Sequence, residues 1–385
     1  MSTYDVIIIG AGSVGLPTAC FLAEAKISVL VIDELSSSGQ GQNKAAIGGV
    51  RATHSDPAKI QTCQLSLDVF STWQERYGDD IHFQRGGYCF PVYDASDEDT
   101  LKQLLTLQHR FGLEIDWVGA DDMCELLPGI EQEGLRGGTY SPGDGNVSPI
   151  LAARAFLDRA VDFGAEFRFN EKAIAVERAN GSGVVVKTDR SSYSAGKVLN
   201  AAGAQAREVG GMMDVDLPVE PDSHEGGVTD AVLRFFEPLV VDIRGFPGSK
   251  NFYFYQEKEG HVVFCLTPEP IVPGMDRDST SGFLPKAARR LIKLFPRLRN
   301  ARVRRVWRGL YPMTPDGVPI VDRIDDSDTF YVAVGFCGQG LMLGPGIAKN
   351  IVSLMTTGQP LLPKEIFASF GVGRDYYSRP SETLK

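Results

Sequence analysis

What this chain has little of narrows the field first. No apolar run reaches the length of a bilayer-spanning helix. The N-terminus passes almost at once into a strand pattern, with no basic start and no cleavage site, so the sequence predicts a cytoplasmic protein. Six cysteines (Cys20, Cys63, Cys89, Cys124, Cys265 and Cys337) are scattered without C-x-x-C spacing and read as reduced thiols, not as a disulfide frame or zinc site. Five histidines, none paired at ligand spacing, argue against a metal centre. Positive charge is in deficit as well: a net charge of −10 speaks against general nucleic-acid or membrane-surface binding. The apolar content, 43% of 385 residues, is that of a globular chain with room for two domains.

What is present is concentrated at the start. Residues 5–34 read DVIIIGAGSVGLPTACFLAEAKISVLVIDE. Val6 to Ile9 is an unbroken β-branched run, suited to a parallel strand covered on both faces. Gly10, Gly12 and Gly15 follow at G-x-G-x-x-G spacing: the first permits a tight turn, the second lets backbone approach a pyrophosphate, and the third lets a helix pack on the strand. That helix would face phosphates with unpaired N–H groups. Asp33 follows a second strand, Val29 to Ile32, where a carboxylate can accept hydrogen bonds from a ribose. A 2′-phosphate would be repelled there, so the pattern points to an unphosphorylated adenosine cofactor such as FAD or NAD; a purely structural glycine turn is the alternative. Pro17 fits less well, because it lies in the first turns of the helix and removes a donor.

Residues 36–57 form a polar, glycine-bearing stretch too long for an ordinary connection. Gly48 and Gly49 followed by Val50 and Arg51 suggest backbone close to a flat ligand with a fixed cation beside it, against the alternative of a plain surface loop. Helices are expected over 60–77, 100–111 and 149–164, and a hairpin over 81–93. Strands are expected over 114–118, 165–170 and 173–178, with 183–188 pairing across a glycine-rich turn. LNAAGAQA, residues 199–206, ends a strand in small residues that admit close approach of a cofactor. In a hairpin over 251–267, Tyr253 and Tyr255 face one way and Phe252 and Phe254 the other, so one pair can line a pocket while the other packs. Residues 286–308 carry ten of the 39 basic residues interleaved with apolar ones. They read as the solvated side of a helix and an edge strand, a docking surface for an acidic partner being the alternative. Gly335, Gly338, Gly340 and Gly344 precede a helix near 347–355, whose positive end in a flavoprotein belongs where negative charge develops on reduction.

In this order, IIIGAGSVG, the loop ending GGVR, LNAAGA, FYFYQEKEGHVVF, RGLYPMTPDGVPI and GFCGQGLMLGP resemble the FAD-dependent amine and amino-acid oxidoreductases of the D-amino-acid oxidase superfamily. The resemblance covers essentially the whole chain and is closest to the branch of sarcosine oxidase β subunits, glycine oxidase and proline dehydrogenase β subunits. It implies an α/β fold with a Rossmann-like FAD-binding domain (1–80, 148–212 and 306–385). The second, substrate-binding domain (81–147 and 213–305) would be built on a mixed or antiparallel sheet. Carried over by position, Gly10, Ala11, Gly12, Ser13, Val14, Gly15, Asp33 and Glu34 would hold the ADP half of FAD, with Gln42, Ala173, Ala201, Ala202 and Gly203 beside it. Gly48, Gly49 and Arg51 would lie along the isoalloxazine, and Gly338, Gln339, Gly340, Leu341 and Met342 would meet its pyrimidine edge. Tyr253 and Tyr311 fall over the substrate, His54 falls where sarcosine oxidases carry an arginine for the substrate carboxylate, and Gln339 is a further polar contact.

The departures from that pattern are informative. Glycine and D-amino-acid oxidases grip the carboxylate with arginine at the positions of Tyr311 and Gly338, and monomeric sarcosine oxidases add a lysine at that of Met342; none of these is basic here. Gly309 stands where a cysteine links flavin in monomeric sarcosine oxidases, implying non-covalent FAD. No lysine occurs between Lys258 and Lys286 to assist oxygen. The implied reaction is oxidation of a C–N bond in a secondary amine or N-substituted amino acid to an imine, by transfer of hydride or its equivalent to flavin N5. The electron acceptor is left open between oxygen and a partner subunit, the latter in a β-like subunit of a heteromeric dehydrogenase. A non-catalytic FAD-binding assembly or regulatory protein is the third reading.

Overall fold

The computed structural model describes residues 3–179, 183–324 and 327–378. One sheet runs in the order Ile320–Arg323, Phe330–Val334, Ser192–Asn200, Thr3–Ile9, Val29–Asp33, Glu166–Phe169. Every neighbouring pair along it is parallel except the first. The run Val6 to Ile9 explains why: Val6 and Ile8 join the core beneath the helices on one face, while Ile7 and Ile9 join the core on the other. On the side away from Thr3–Ile9, Ser192–Asn200 divides its length between two partners. Val198 to Asn200 pair with Phe330–Val334, and Ser192 to Ala195 pair with a hairpin of Ala173–Arg178 and Val184–Thr188. The glycine-rich turn expected at 180–182 lies outside the described residues. The helices Pro57–Tyr77 and Pro149–Asp162 form where the apolar spacing predicts them, each with proline in its first turn and a side-chain cap, from Asp56 and Ser148 respectively.

The second sheet has the order Val303–Met313, Glu220–Thr229, Val262–Pro268, Ser249–Gln256, Leu239–Asp242, Tyr88–Val92, Gly137–Ser141, Asp116–Val118. It is antiparallel except where Leu239–Asp242 meets Tyr88–Val92. The hairpin expected over 81–93 does not form. Tyr88–Val92 is buried along its whole length, so it needs a partner on each side and finds them far along the chain, in Gly137–Ser141 and Leu239–Asp242. The hairpin expected over 251–267 is present, and its alternation holds: Phe252 and Phe254 pack with Phe264, Phe283 and Phe295, while Tyr253 and Tyr255 belong to the opposite face. Val303–Met313 lies in this sheet throughout, so the boundary expected at 306 falls inside a strand. It is an edge strand, and with the helix Phe283–Leu294 it carries the basic segment mostly outward, in the way the interleaving predicts.

Pro17 has a physical place after all. It occupies the third position of the helix Gly15–Glu24, within the first turn, where backbone N–H groups find few carbonyl partners. The Ser13 carbonyl, which Pro17 denies a helical N–H, faces Gly344 so closely that a Cβ there would sit 2.0 Å from it. The helix Gly340–Thr357 is thereby seated directly on the first glycine turn. Among the described residues, no helix is long and apolar enough to cross a membrane, and no cluster of side chains could hold a metal ion.

Candidate active site

A cleft of about 790 Å³ runs between the two sheets, lined by residues from many separated stretches between Ile9 and Met342. At one end is the glycine turn. Gly10 has φ +113, and a Cβ there would lie 2.4 Å from the Ala201 carbonyl; a Cβ on Gly15 would lie 1.9 Å from the Gly10 carbonyl. These two positions are closed by packing. Gly12 is different: a Cβ would meet nothing within 4 Å, because the residue faces the cleft. The helix that follows has no side-chain cap and no acid in its first turn, leaving its positive end to whatever fills the cleft. Asp33 accepts from the amides of Ala11 (2.7 Å) and Leu35 (2.8 Å). Burial raises its pKa, and those two amides partly offset the rise. Its remaining lone pairs are available to a ribose. Glu34, Gln42, Ala173, Ala201, Ala202 and Gly203 line the same end. Gly203 presses on Gln42, whose Oε1 would stand 2.1 Å from an added Cβ.

The stretch 36–57 is a tied wall of the cleft. Tyr255 donates to the Ile47 carbonyl (2.6 Å) and Trp307 to that of Ala45 (2.9 Å), while Gly49–Val50 pairs with Gly145–Asn146. Gly48 has φ +105, and a Cβ on Gly49 would be 2.1 Å from the Tyr88 hydroxyl, so backbone alone can form this surface. Gly309 packs against Ala45. Arg51, also in the cleft lining, is buried and donates to the Thr53 carbonyl. Asp144 accepts from the Ala52 amide (2.8 Å); burial pushes its carboxyl up to about 6, against the pull of that amide and of Arg51.

His54 is elsewhere. It is fully buried, with Nε2 3.5 Å from Cys63 Sγ and its carbonyl accepting from Gln108, and it is not part of the cleft lining. It is therefore not placed along the cleft where a substrate carboxylate was expected to meet it; it packs instead just before the helix Pro57–Tyr77.

At the other end of the cleft, Gly338 has φ +82, and a Cβ on it would stand 2.1 Å from the Tyr311 ring. The tyrosine therefore fills the space an arginine at 338 would need. Tyr311 and Tyr253 share a hydroxyl–hydroxyl hydrogen bond of 2.7 Å. Burial drives both phenols well above the ordinary tyrosine range, and Cys265 beside them is pushed up to about 11, again by burial. His224 stacks on the Tyr311 ring at 3.8 Å, with Nε2 3.3 Å from Asp222 Oδ2. Burial works to raise Asp222, yet the His224 contact and the amides of Val272 and Ser223 outweigh it, holding the carboxyl below its usual range. Asp222 and His224 were not singled out in the sequence. Their shared parity on one strand was the available signal, but the face it selects is set by the strand's partners. Gln339 is buried at the lip of the helix Gly340–Thr357, and its Oε1 has no hydrogen-bond partner among the described residues. That helix too has no side-chain cap and no acid in its first turn.

This arrangement fits FAD. The open face at Gly12 and the uncapped helix suit a pyrophosphate, Asp33 a ribose, the glycine wall at 48–49 a flat ring, and the Gln339 oxygen a ring N–H. Of the residues expected at the site, all but Gly15 and His54 line the cleft. Gly15 acts behind it, where the helix meets the turn.

Comparison with known proteins agrees. The family model for FAD dependent oxidoreductases (DAO) matches residues 5–354. Glycine oxidase of Geobacillus kaustophilus is 27% identical over 350 residues, 89% of this chain and 90% of that protein. Mitochondrial dimethylglycine dehydrogenase of Rattus norvegicus is 23% identical over 376 residues, 92% of this chain but 43% of its own length, so the chain spans less than half of that relative. Among solved structures, L-proline dehydrogenase from P. horikoshii superposes with a TM-score of 0.89 at 26% identity, covering 96% of this chain and 97% of that one. The chain belongs to the DAO family of FAD-dependent oxidoreductases.

Proposed function

We propose that the protein oxidises the C–N bond of a secondary amine or N-substituted amino acid, of sarcosine-, glycine- or proline-like form, to an imine that water then hydrolyses. One observation carries the reading. Two uncapped helix ends and a glycine wall, from distant parts of the chain, open on one cleft that terminates at the Tyr253–Tyr311 pair. FAD, held without a covalent link since Gly309 offers no side chain, supplies the two-electron acceptor. The positive end of Gly340–Thr357 and the buried Arg51 supply positive potential. The tyrosines, neutral at any physiological pH, orient the amine by hydrogen bonds and keep water out. No strong protein base is needed if the amine binds neutral.

A panel of N-methyl amino acids, cyclic imino acids, opines and amines lacking carboxylates, added anaerobically to the holoprotein, tests this. Bleaching of the flavin by a member is the expected result; a flavoprotein that no amine reduces would be a non-catalytic FAD binder. The acceptor is a second question. The names of the similar proteins include an oxidase and dehydrogenases, and no lysine lies between Lys258 and Lys286. A dehydrogenase that passes electrons to a partner subunit is therefore the second reading. Oxygen uptake by the isolated chain at the rate of dye reduction would remove it.

A further inference from the structure

We propose that Lys250 and Arg277 form the carboxylate grip of this cleft and select amine substrates whose acid group points outward, away from the tyrosine pair. The proposal rests on the amine-oxidising reading above. Four lysine and arginine side chains line the cleft: Arg51, Lys172, Lys250 and Arg277. Arg51 is buried against the Thr53 carbonyl beside Asp144, and Lys172 is paired with Glu208 at 2.9 Å. Lys250 and Arg277 have no hydrogen-bond or ion-pair partner for their side chains among the described residues. The inner route to a carboxylate is shut, because the Tyr311 ring occupies the space over Gly338.

The segment bearing Arg277 is anchored to the strand that carries Asp222 and His224. The Val272 amide donates to Asp222 Oδ1 (2.8 Å), the Ser223 amide to the Val272 carbonyl (3.1 Å), and the Gly274 amide to the Pro221 carbonyl (2.9 Å). Arg308 holds Asp276 at 2.8 Å and the Asp278 carbonyl at 3.1 Å, and Thr280 bonds Glu225 through both its amide and its hydroxyl at 2.7 Å. Arg277 thus has no side-chain partner among the described residues while Asp276 and Asp278 on either side of it are held by Arg308, on the side of the cleft where Asp222 touches His224 and His224 stacks on Tyr311. Lys250 comes from the start of the strand that carries Tyr253. Asp222 and Glu269 are the acids these segments add to the lining; Asp222 is already engaged by His224 and by the Val272 and Ser223 amides, which leaves Lys250 and Arg277 as cations open to an incoming anion. A carboxylate held here by charge-assisted bonds leaves the amine nitrogen to reach inward.

The holoprotein and its Lys250→Met, Arg277→Met and Arg277→Lys variants test this by two readouts. The first is perturbation of the flavin spectrum by pyrrole-2-carboxylate, a non-reducing acid. The second is anaerobic flavin reduction by sarcosine and L-proline against their carboxamides. Each Met variant should weaken pyrrole-2-carboxylate binding about tenfold or more and cut reduction by the acids to a similar degree, with the carboxamides nearly unchanged and Arg277→Lys partly restored. Equal losses for acids and carboxamides, no loss for either, or no spectral response of the parent protein to the acid overturns the grip. Reduction by amines that survives such an outcome leaves the amine-oxidising reading standing, whereas failure of every amine with intact acid binding removes only that reading.

Discussion

The hydroxyls of Tyr253 and Tyr311 meet at 2.7 Å although their strands are separated by two others in the sheet. Neighbouring strands lie about 4.8 Å apart, so the backbones stand roughly 14 Å from one another and only two long side chains leaning together can close the gap. Cys265 lies opposite Tyr253 on one intervening strand, and Asp222 opposite Tyr311 on the other. Removing one hydroxyl therefore leaves the other without its partner in a buried place. Tyr311→Phe should keep its flavin and lose about tenfold in kcat/KM, the worth of one buried hydrogen bond, as measured by anaerobic reduction rates. Because both phenols titrate far above neutrality, the wild-type rate profile between pH 6 and pH 9 should carry no tyrosine ionisation.

The two glycines of the first turn should fail in different ways. A side chain on Gly10 collides with the Ala201 carbonyl at 2.4 Å and needs an unfavourable backbone besides, so Gly10→Ala should give little folded protein. A side chain on Gly12 meets only the cleft. Gly12→Val should therefore fold, with the circular dichroism of the parent, and come out colourless because the branched side chain occupies the place of the pyrophosphate. A yellow Gly12→Val protein would place the cofactor's phosphates elsewhere.

The parts of this site that could be read from sequence are those whose chemistry is local. Strand, glycine turn, helix and acid follow one another within residues 5–34, so their placement at one end of the cleft follows from spacing. The alternation of Tyr253 and Tyr255 against Phe252 and Phe254 is local in the same sense. His54 lies outside the cleft lining, and that placement depends on where Gln108 and Cys63 pack, residues on two other helical segments. The hairpin expected over 81–93 failed for the same reason, its true partners lying near residues 140 and 240. Asp222 and His224 acquire meaning only through Tyr311, which the sheet brings alongside them from nearly ninety residues away.

Asp144 gives a pH prediction with a definite sign. Its carboxyl titrates near 6 in the fold, raised by burial from 3.8, so between those values the folded chain binds the proton more tightly than the unfolded one. Stability should fall as pH rises through this window, by about 3 kcal/mol from this group alone. Asp144→Asn keeps an oxygen for the Ala52 amide and has nothing to titrate. The difference in unfolding free energy between parent and variant, followed by urea denaturation from pH 4 to pH 7, should move in the variant's favour as pH rises. A difference that stays flat across the window would show that Asp144 remains ionised throughout.

Gly344 tests whether the two helix ends are mechanically one unit. A Cβ at this position would stand 2.0 Å from the Ser13 carbonyl, inside the turn that carries Gly12 and Val14. The contact is backbone against backbone, so no side chain can swing aside to relieve it. Gly344→Ala must push the helix Gly340–Thr357 away from the first turn, and overpacking of this kind costs about 1–3 kcal/mol. The same displacement moves Gln339 and the helix N-terminus relative to the Gly10–Gly15 turn, so one methyl group should weaken FAD binding although it touches no cofactor-facing surface. Thermal unfolding of apo and holo protein separates the two effects: the variant should lose stability in both, and lose more in the holo form. If the apo and holo losses were equal, the two helix ends would be joined by packing alone and not by a shared ligand.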